Sequence, residues 1–204
     1  MVQMGGWFNK EINSVEDLKG LKMRIPGLGG EVLRLAGGTP VNIPGGDLFV
    51  SLQKGVIDAT EWVGPYNDLA FGLYKAAKYY YSPGWHEPGT TLECFINQEA
   101  YNSLPDDLKS IVKNAARVAN QNMMLEYVAR NNDALEVLVN EHQVDVREFP
   151  TDVIEKLRGL SEQVVADVVG SDPFAREIYD SYKGFLDKSK AWYNLSERAY
   201  LNIR

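Results

Sequence analysis

The sequence predicts an α/β fold whose sheet-forming part is followed by a largely helical C-terminal part. In residues 14–84, short apolar runs alternate with amphipathic segments, and glycine or proline stands between them. This alternation is typical of strands that are joined by crossover helices. From residue 103 onward, apolar residues recur at helical spacing, and one short strand-like run interrupts them. The first part therefore predicts the sheet, and the second part predicts long helices.

The N-terminal part holds most of the predicted strands. Residues 1–12 are predicted as a strand or a loop, and the short helix that follows is capped by Asn13 or Ser14 and ends at Gly20. Short apolar runs predict further strands at residues 21–26, 39–44, 58–63, 78–84 and 90–101. Apolar residues at helical spacing predict intervening helices at residues 29–38, 46–57 and 66–77.

The C-terminal part is predicted to be helical except for one strand. A long helix is predicted over residues 103–142, a strand over 143–150, and helices over 151–171 and 172–204. The last of these helices presents large apolar and aromatic side chains, namely Phe174, Ile178, Tyr182, Phe185, Trp192, Tyr193, Leu195 and Tyr200. Such a face must be buried against the same chain, a further segment or a second subunit.

The composition excludes some classes of function. The chain has 204 residues, a net charge of −7 and a pI of about 4.9, whereas a sequence-independent nucleic-acid binder needs a basic face. No stretch approaches the roughly 18 consecutive apolar residues of a membrane span, and the N-terminus lacks the pattern of a signal peptide.

The one cysteine, Cys94, lies in an apolar run and is predicted to be a buried, inert thiol.

Arg24 is the first candidate for ligand binding. It ends a predicted strand, just before Pro26 and Gly27, and α/β sheets present ligand groups in the crevice beyond their strand ends. Its guanidinium offers a bidentate fork to a carboxylate. The alternative is a surface arginine that is paired with a local acid.

Glu61 and Trp62 end another predicted strand and are candidates for a metal site. A carboxylate and a backbone carbonyl from adjacent residues are suitable ligands for a hard cation. Gln3 is a separate candidate, because the carbonyl oxygen of a glutamine side chain can ligate Na⁺ or Ca²⁺. The indole of Trp62 can also cover a small apolar part of a ligand. The alternatives are a loop acid, a core tryptophan and a solvated glutamine.

Trp85 and His86 follow the predicted strand at residues 78–84 and are weaker candidates. His86 can donate a hydrogen bond to a ligand or titrate near neutrality, although a structural histidine fits the same pattern. The sequence contains no G-x-S-x-G, H-E-x-x-H or Walker motif, so no catalytic set is predicted.

In their order along the chain, these elements resemble one family. The stretches "SVEDLKGLKMRIPG", "GGTPVNIPGGDLFVSLQKGVIDATEWVGP" and "AKYYYSPGWHEPG" are similar to the periplasmic solute-binding subunit of TRAP transporters, in the branch that binds 2-oxo acids and related monocarboxylates. The resemblance implies a periplasmic-binding-protein-like lobe with a mixed sheet and long C-terminal helices. The family's N-terminal segment is expected to be absent here, which makes the two-lobe architecture incomplete.

The resemblance also implies a division of the chain. Residues 1–100 would form the second, ligand-binding lobe of a two-lobe protein. Residues 101–204 would form the long connecting helix and a C-terminal helical segment, which packs on the first lobe or on a partner subunit.

The same resemblance implies a role for each candidate. Arg24 matches the arginine that clamps the ligand carboxylate. Gln3, Glu61 and the carbonyl of Trp62 match the ligands of a metal ion, Na⁺ or alternatively Ca²⁺, while the Trp62 ring lines the pocket. Trp85 and His86 fall near the pocket of this branch.

The implied function is binding without catalysis. A small 2-oxo acid such as pyruvate would be captured with a metal ion in the periplasm and delivered to the membrane permease of a TRAP transporter. A homodimer through the C-terminal helix is a further implied partner. Two alternatives remain open: a metal-dependent lyase for 2-oxo acids with His86 as its base, and a helical assembly module that binds no ligand.

Overall fold

One mixed sheet organises the N-terminal part of the molecule. The computed structural model describes residues 3–87, 89 and 92–204. Within them, six strands form a sheet in the order β3-β2-β4-β1-β5-β6. The strands are β1 (Gly6–Phe8), β2 (Lys22–Arg24), β3 (Thr39–Val41), β4 (Ala59–Thr60), β5 (Tyr79–Ser82) and β6 (Asp145–Glu148). The prediction of an α/β fold with a mixed sheet is confirmed.

The directions of the strands bring several strand ends to one edge of the sheet. β2 pairs in parallel with β3 and β4, and Arg24 lies opposite Thr60. β1 runs antiparallel to both β4 and β5, so the amino end of β1 lies beside the carboxyl ends of its two neighbours. The segment before β1 and the segments after β2, β4 and β5 therefore emerge at the same edge.

The described residues form eight helices. They are α1 (Gly27–Leu35), α2 (Leu48–Gln53), α3 (Pro65–Phe71), α4 (Gln98–Ser103), α5 (Asp106–Asn140), α6 (Thr151–Val169), α7 (Pro173–Leu195) and α8 (Glu197–Asn202). Short 3₁₀ turns occur at Val15–Leu18, Gly45–Asp47 and Leu73–Lys75. In the part of the chain that the structure describes, none of the helices combines the length and apolar character that crossing a membrane requires.

The core lies between the sheet and the helices α2, α3 and α5. Trp7 of β1 and Tyr80 of β5 are fully buried, and their rings stack with centroids 4.1 Å apart. Aliphatic side chains complete this cluster, among them Leu48, Leu52, Ile57, Leu73 and Leu138. Burial of each such side chain stabilises the folded state by about 1.5–3 kcal/mol. This packing fixes the positions of the strand ends.

The strand predicted at residues 90–101 is wrong. Residues 92–97 adopt no regular structure, and Gln98–Ser103 forms α4 instead. The side chain of Asn97 accepts a hydrogen bond from the amide of Ala100, which caps this helix. Residues 90 and 91, with which the predicted strand begins, lie outside the described residues.

The predicted burial of Cys94 is also wrong. Cys94 is exposed, as are its neighbours Leu92 and Phe95. The apolar run therefore does not enter the core of the described structure, because no strand of the sheet pairs with it. An apolar run by itself does not distinguish a buried strand from an exposed apolar segment.

Two predicted elements differ from the structure in where they end or break. β4 stops at Thr60, so Glu61 and Trp62 lie just beyond the strand rather than within it. The final helix is split at Ser196, whose backbone angles of φ −104° and ψ −98° are not helical. Asp172 caps the first part, α7, by accepting a hydrogen bond from the amide of Phe174.

The chain divides into two units, residues 1–160 and residues 161–204. The first unit contains the six-stranded sheet. The second contains the end of α6 together with α7 and α8, and the large aromatic side chains predicted for its helical face are exposed. The predicted division at residue 100 stays a prediction.

Candidate functional site

The predicted site residues gather at the edge of the sheet where the strand ends meet. Arg24 is the last residue of β2, and Glu61 and Trp62 follow β4 directly. Gln3 precedes β1, and His86 follows β5. Hydrogen bonds and close contacts connect all five residues.

Arg24 and Glu61 form a largely buried ion pair. The Nη1 atom of Arg24 contacts the Oε1 atom of Glu61, and their side chains are only 14% and 5% exposed. Arg24 also donates a hydrogen bond from Nε to the carbonyl oxygen of Ile43 at 3.3 Å. Its guanidinium carbon lies 5.6 Å from the centre of the Trp62 ring, within the range of a cation–π contact. Arg24 is therefore held inside the site and is not a surface arginine.

The amide of Gln3 bridges two oxygen atoms. Its Nε2 atom donates to Oε2 of Glu61 at 2.8 Å and to the backbone oxygen of Trp62 at 2.6 Å. Gln3 is buried, so its amide is shielded from solvent. Two converging acceptors, one of them charged, create a point that favours positive charge. A cation fits this point, because a rotation of the Gln3 amide would present its own oxygen as a third ligand.

His86 lies beside the same carboxylate. Its side chain is 4% exposed, and its Nε2 atom is 3.7 Å from Oε2 of Glu61 and 3.5 Å from Nε2 of Gln3. Its Nδ1 atom is buried and has no hydrogen-bond partner within the described part of the chain. A ring nitrogen of histidine can donate or accept a hydrogen bond, so this atom is able to contact a ligand.

Glu87 extends this group of potential metal ligands. Three residues, Glu61, His86 and Glu87, each offer one ligand atom, and these three atoms lie within 4.8 Å of one another. Glu87 is not among the site residues predicted from the sequence, although its position directly after His86 was a usable signal. Trp85, by contrast, contacts the ring of His86, with ring centroids 5.3 Å apart.

Asp68 of α3 is a second residue that sequence reasoning missed. It is 1% exposed and accepts four hydrogen bonds, from Trp7 Nε1, Tyr80 Oη and the backbone amides of Val63 and Gly64. Burial raises the pKa of its carboxyl from 3.8 to about 6, because the loss of hydration outweighs the four donors. An acid in the first turn of a short helix is common, so only its burial reveals it.

Comparison of the chain with known proteins identifies its family. Residues 1–172 match the family described as "Bacterial extracellular solute-binding protein, family 7", or DctP. The chain belongs to the DctP family. The resemblance to the solute-binding subunits of TRAP transporters is thereby confirmed.

The similar members of the DctP family include a curated protein and solved structures. The chain is 42% identical over 201 residues to a monocarboxylate 2-oxoacid-binding periplasmic protein of Nostoc sp., and this match covers 98% of the chain and 55% of the relative. A TRAP periplasmic solute-binding protein of Colwellia psychrerythraea with bound calcium and pyruvate is 47% identical, with a TM-score of 0.95 and coverage of 100% of this chain and 62% of that one.

A second solved structure is nearly as similar. It is a TRAP periplasmic solute-binding protein of Pseudoalteromonas atlantica with bound sodium and pyruvate, 44% identical, with a TM-score of 0.93 and coverage of 98% of this chain and 61% of that one. This DctP-family chain therefore spans about 55–62% of the length of these relatives. Its sheet and helices correspond to that portion of their fold.

Proposed function

We propose that this chain is the ligand-binding part of a TRAP-transporter solute-binding protein that captures a small 2-oxo monocarboxylate, such as pyruvate, together with a metal ion. The observation that carries the proposal is the convergence of Gln3, Glu61 and the Trp62 carbonyl on one point beside Arg24. The relatives that bind pyruvate with calcium or sodium support it.

Arg24 is the proposed clamp for the ligand carboxylate. A guanidinium has five N–H donors, and the contacts described for Arg24 use Nη1 on Glu61 and Nε on Ile43. The other donors can take a carboxylate side by side, which is the strong geometry for this pair. Because Arg24 is already held by two partners, its side chain needs little ordering when the ligand binds.

The cation is needed for charge balance. A carboxylate ligand would place a second negative charge next to Glu61, with Arg24 as the one adjacent fixed cation among the described residues. We propose that Glu61, the Trp62 carbonyl and the Gln3 amide oxygen hold Na⁺ or Ca²⁺. The ion would offset the added charge and accept oxygen atoms of the ligand.

The aromatic and histidine side chains are proposed to complete the pocket. The Trp62 ring lies over the Arg24 guanidinium and can cover the apolar part of a small ligand. His86, whose buried Nδ1 has no hydrogen-bond partner among the residues that the structure describes, is proposed to contact a ligand oxygen. Trp85 packs on the His86 ring and would hold its orientation.

The proposal includes the setting in which this site works. Residues 1–100 would form a ligand-binding lobe, and residues 101–204 would form the connecting and C-terminal helices. The protein would act in the periplasm and deliver its ligand to the TRAP membrane permease, without catalysis. Preferential binding of the ligand to one conformation would give the permease a liganded state to recognise. The exposed aromatic face of α7 is compatible with a homodimer.

Calorimetry tests the proposal. Pyruvate is titrated into the full chain in metal-free buffer and then with Na⁺ or Ca²⁺ added, and the arm that restores binding identifies the ion. We expect Arg24→Ala to weaken pyruvate binding at least 100-fold. The control, Arg34→Ala, alters an exposed arginine that pairs with Glu31 and should leave binding unchanged.

Two results would contradict the proposal. Pyruvate affinity that is unchanged in Arg24→Ala would remove the carboxylate clamp. Turnover of pyruvate or oxaloacetate in the same samples would instead support the metal-dependent lyase.

A further inference from the structure

The segments that carry the proposed site are tied to one buried carboxylate outside it. The Oδ2 atom of Asp68 accepts hydrogen bonds from Trp7 Nε1 at 2.9 Å and from the Tyr80 hydroxyl at 2.8 Å. Its Oδ1 atom accepts from the backbone amides of Val63 and Gly64, each at 3.1 Å. Both oxygens are therefore used, and neither faces solvent, because the residue is 1% exposed.

Each of these donors belongs to a segment that also supplies a site residue. Trp7 lies in β1, which Gln3 precedes, and Tyr80 lies in β5, which leads to His86. Val63 follows Trp62 directly. One side chain thus connects the three segments that deliver Gln3, Trp62 and His86.

The bond to Val63 has a specific geometric consequence. The amide N–H of Val63 and the carbonyl of Trp62 belong to the same peptide unit, which is planar and trans, so the two groups point in opposite directions. Asp68 holds the N–H on the core side. The carbonyl oxygen of Trp62 must then point away from the core, where it meets the Gln3 amide at 2.6 Å.

We propose that Asp68 is a positioning residue that fixes the Trp62–Val63 peptide and thereby aims the Trp62 carbonyl at the cation position. This inference rests on the proposed function for the existence of the cation. An N–H that donates to a carboxylate also polarises its own peptide group, which increases the negative charge on the carbonyl oxygen. Asp68 therefore acts on both the direction and the ligand strength of that oxygen.

A structural role alone would predict a different pattern of effects. A carboxylate that merely satisfied Trp7 and Tyr80 would influence the core through Oδ2. The proposed role runs through Oδ1 and the backbone amides. Substitutions that affect one oxygen or the other therefore separate the two roles.

The experiment compares three variants of the full chain. Asp68→Ala removes both acceptors, Asp68→Asn retains one oxygen for the backbone amides, and Tyr80→Phe removes one donor to Oδ2 and leaves Oδ1 untouched. For each variant, Ca²⁺ and Na⁺ binding is measured by calorimetry, the melting temperature by circular dichroism, and the exchange rate of the Val63 amide by NMR.

We expect Asp68→Ala to weaken cation binding at least tenfold and to accelerate exchange of the Val63 amide. Tyr80→Phe should lower the melting temperature yet keep cation affinity within about threefold, and Asp68→Asn should restore most of the affinity lost in Asp68→Ala. Should Asp68→Ala fail to fold, Asp68→Asn still tests the proposal, because its cation affinity and the protection of its Val63 amide should be kept or lost together.

Several results would overturn the inference. One is a loss of cation affinity that follows the melting temperature equally in Asp68→Ala and Tyr80→Phe. Another is a folded Asp68→Asn that keeps the Val63 amide protected and yet binds no cation. A wild type that binds neither cation nor pyruvate would instead refute the proposed function, and the Val63 exchange rate would then still report whether Asp68 holds this peptide.

Discussion

The guanidinium of Arg24 and the carboxylate of Glu61 form an ion pair at the ends of two neighbouring parallel strands. The two oxygen atoms of this carboxylate have different partners. Oε1 contacts Arg24, while Oε2 accepts from the Gln3 amide at 2.8 Å. One oxygen is therefore neutralised by a fixed cation, and the other is directed at the proposed metal position.

Removing Arg24 should make the protein depend on metal for its stability. Arg24→Ala leaves Glu61 buried without its partner, and breaking such a pair costs about 3–5 kcal/mol. A bound cation would compensate this charge, so Ca²⁺ should raise the melting temperature of Arg24→Ala by more than it raises that of the wild type. Thermal unfolding with and without Ca²⁺ measures this, and an equal shift in the two proteins would contradict it.

Neutralising Glu61 should remove the metal site while preserving its shape. Glu61→Gln keeps the volume of the side chain but removes the charge that attracts the ion, so cation affinity should fall at least 100-fold. Pyruvate binding should then become weak and independent of added metal. The matched control is Glu31→Gln at an exposed ion pair, and calorimetry is the measurement. Retained metal dependence in Glu61→Gln would exclude Glu61 as a ligand.

The position of the Trp62 ring should depend on the absence of a side chain at Gly45. A β-carbon at Gly45 would lie 2.8 Å from Cη2 of Trp62, whereas one at Gly46 would meet nothing within 4 Å. Gly45→Ala should displace the ring and weaken pyruvate binding about tenfold, with cation affinity kept because the Trp62 ligand is its backbone oxygen. Gly46→Ala is the control. Equal pyruvate affinities in the two variants would show that the ring does not line the pocket.

Asp68 should make stability fall as the pH rises from about 4 to about 7. Its native pKa of about 6 lies above its ordinary value of 3.8, so the folded protein keeps a proton that the unfolded chain has already released. The stabilisation is complete below pH 3.8 and is lost as the pH passes 6. This difference corresponds to about 3 kcal/mol, at about 1.4 kcal/mol per pKa unit.

Urea unfolding of the wild type and of Asp68→Asn across this range measures the effect, because contributions of other groups cancel in the difference. The wild type should lose stability relative to the variant as the pH rises. Asp152→Asn, at an exposed position of α6, serves as the control and should follow the wild type. Parallel curves for the wild type and Asp68→Asn would refute the raised pKa.

The strand ends were accessible to sequence reasoning because local patterns define them. Alternating apolar residues marked β2, and Arg24 at its end pointed to a crevice position before any contact was known. The apolar run at residues 90–101 carried a similar signal and was interpreted wrongly, because strand formation needs a pairing partner that local sequence does not supply.

By itself, the sequence determined the family, the alternation of strands and helices, and the residue types available for the proposed site. It did so because propensity, capping and motif order are encoded within short windows. Only the tertiary structure decided which atoms face each other. Gln3 and Glu61 are 58 residues apart and meet at 2.8 Å, and Asp68 becomes a buried acceptor of four hydrogen bonds. Burial and pairing depend on distant segments that meet only when the sheet and helices pack together.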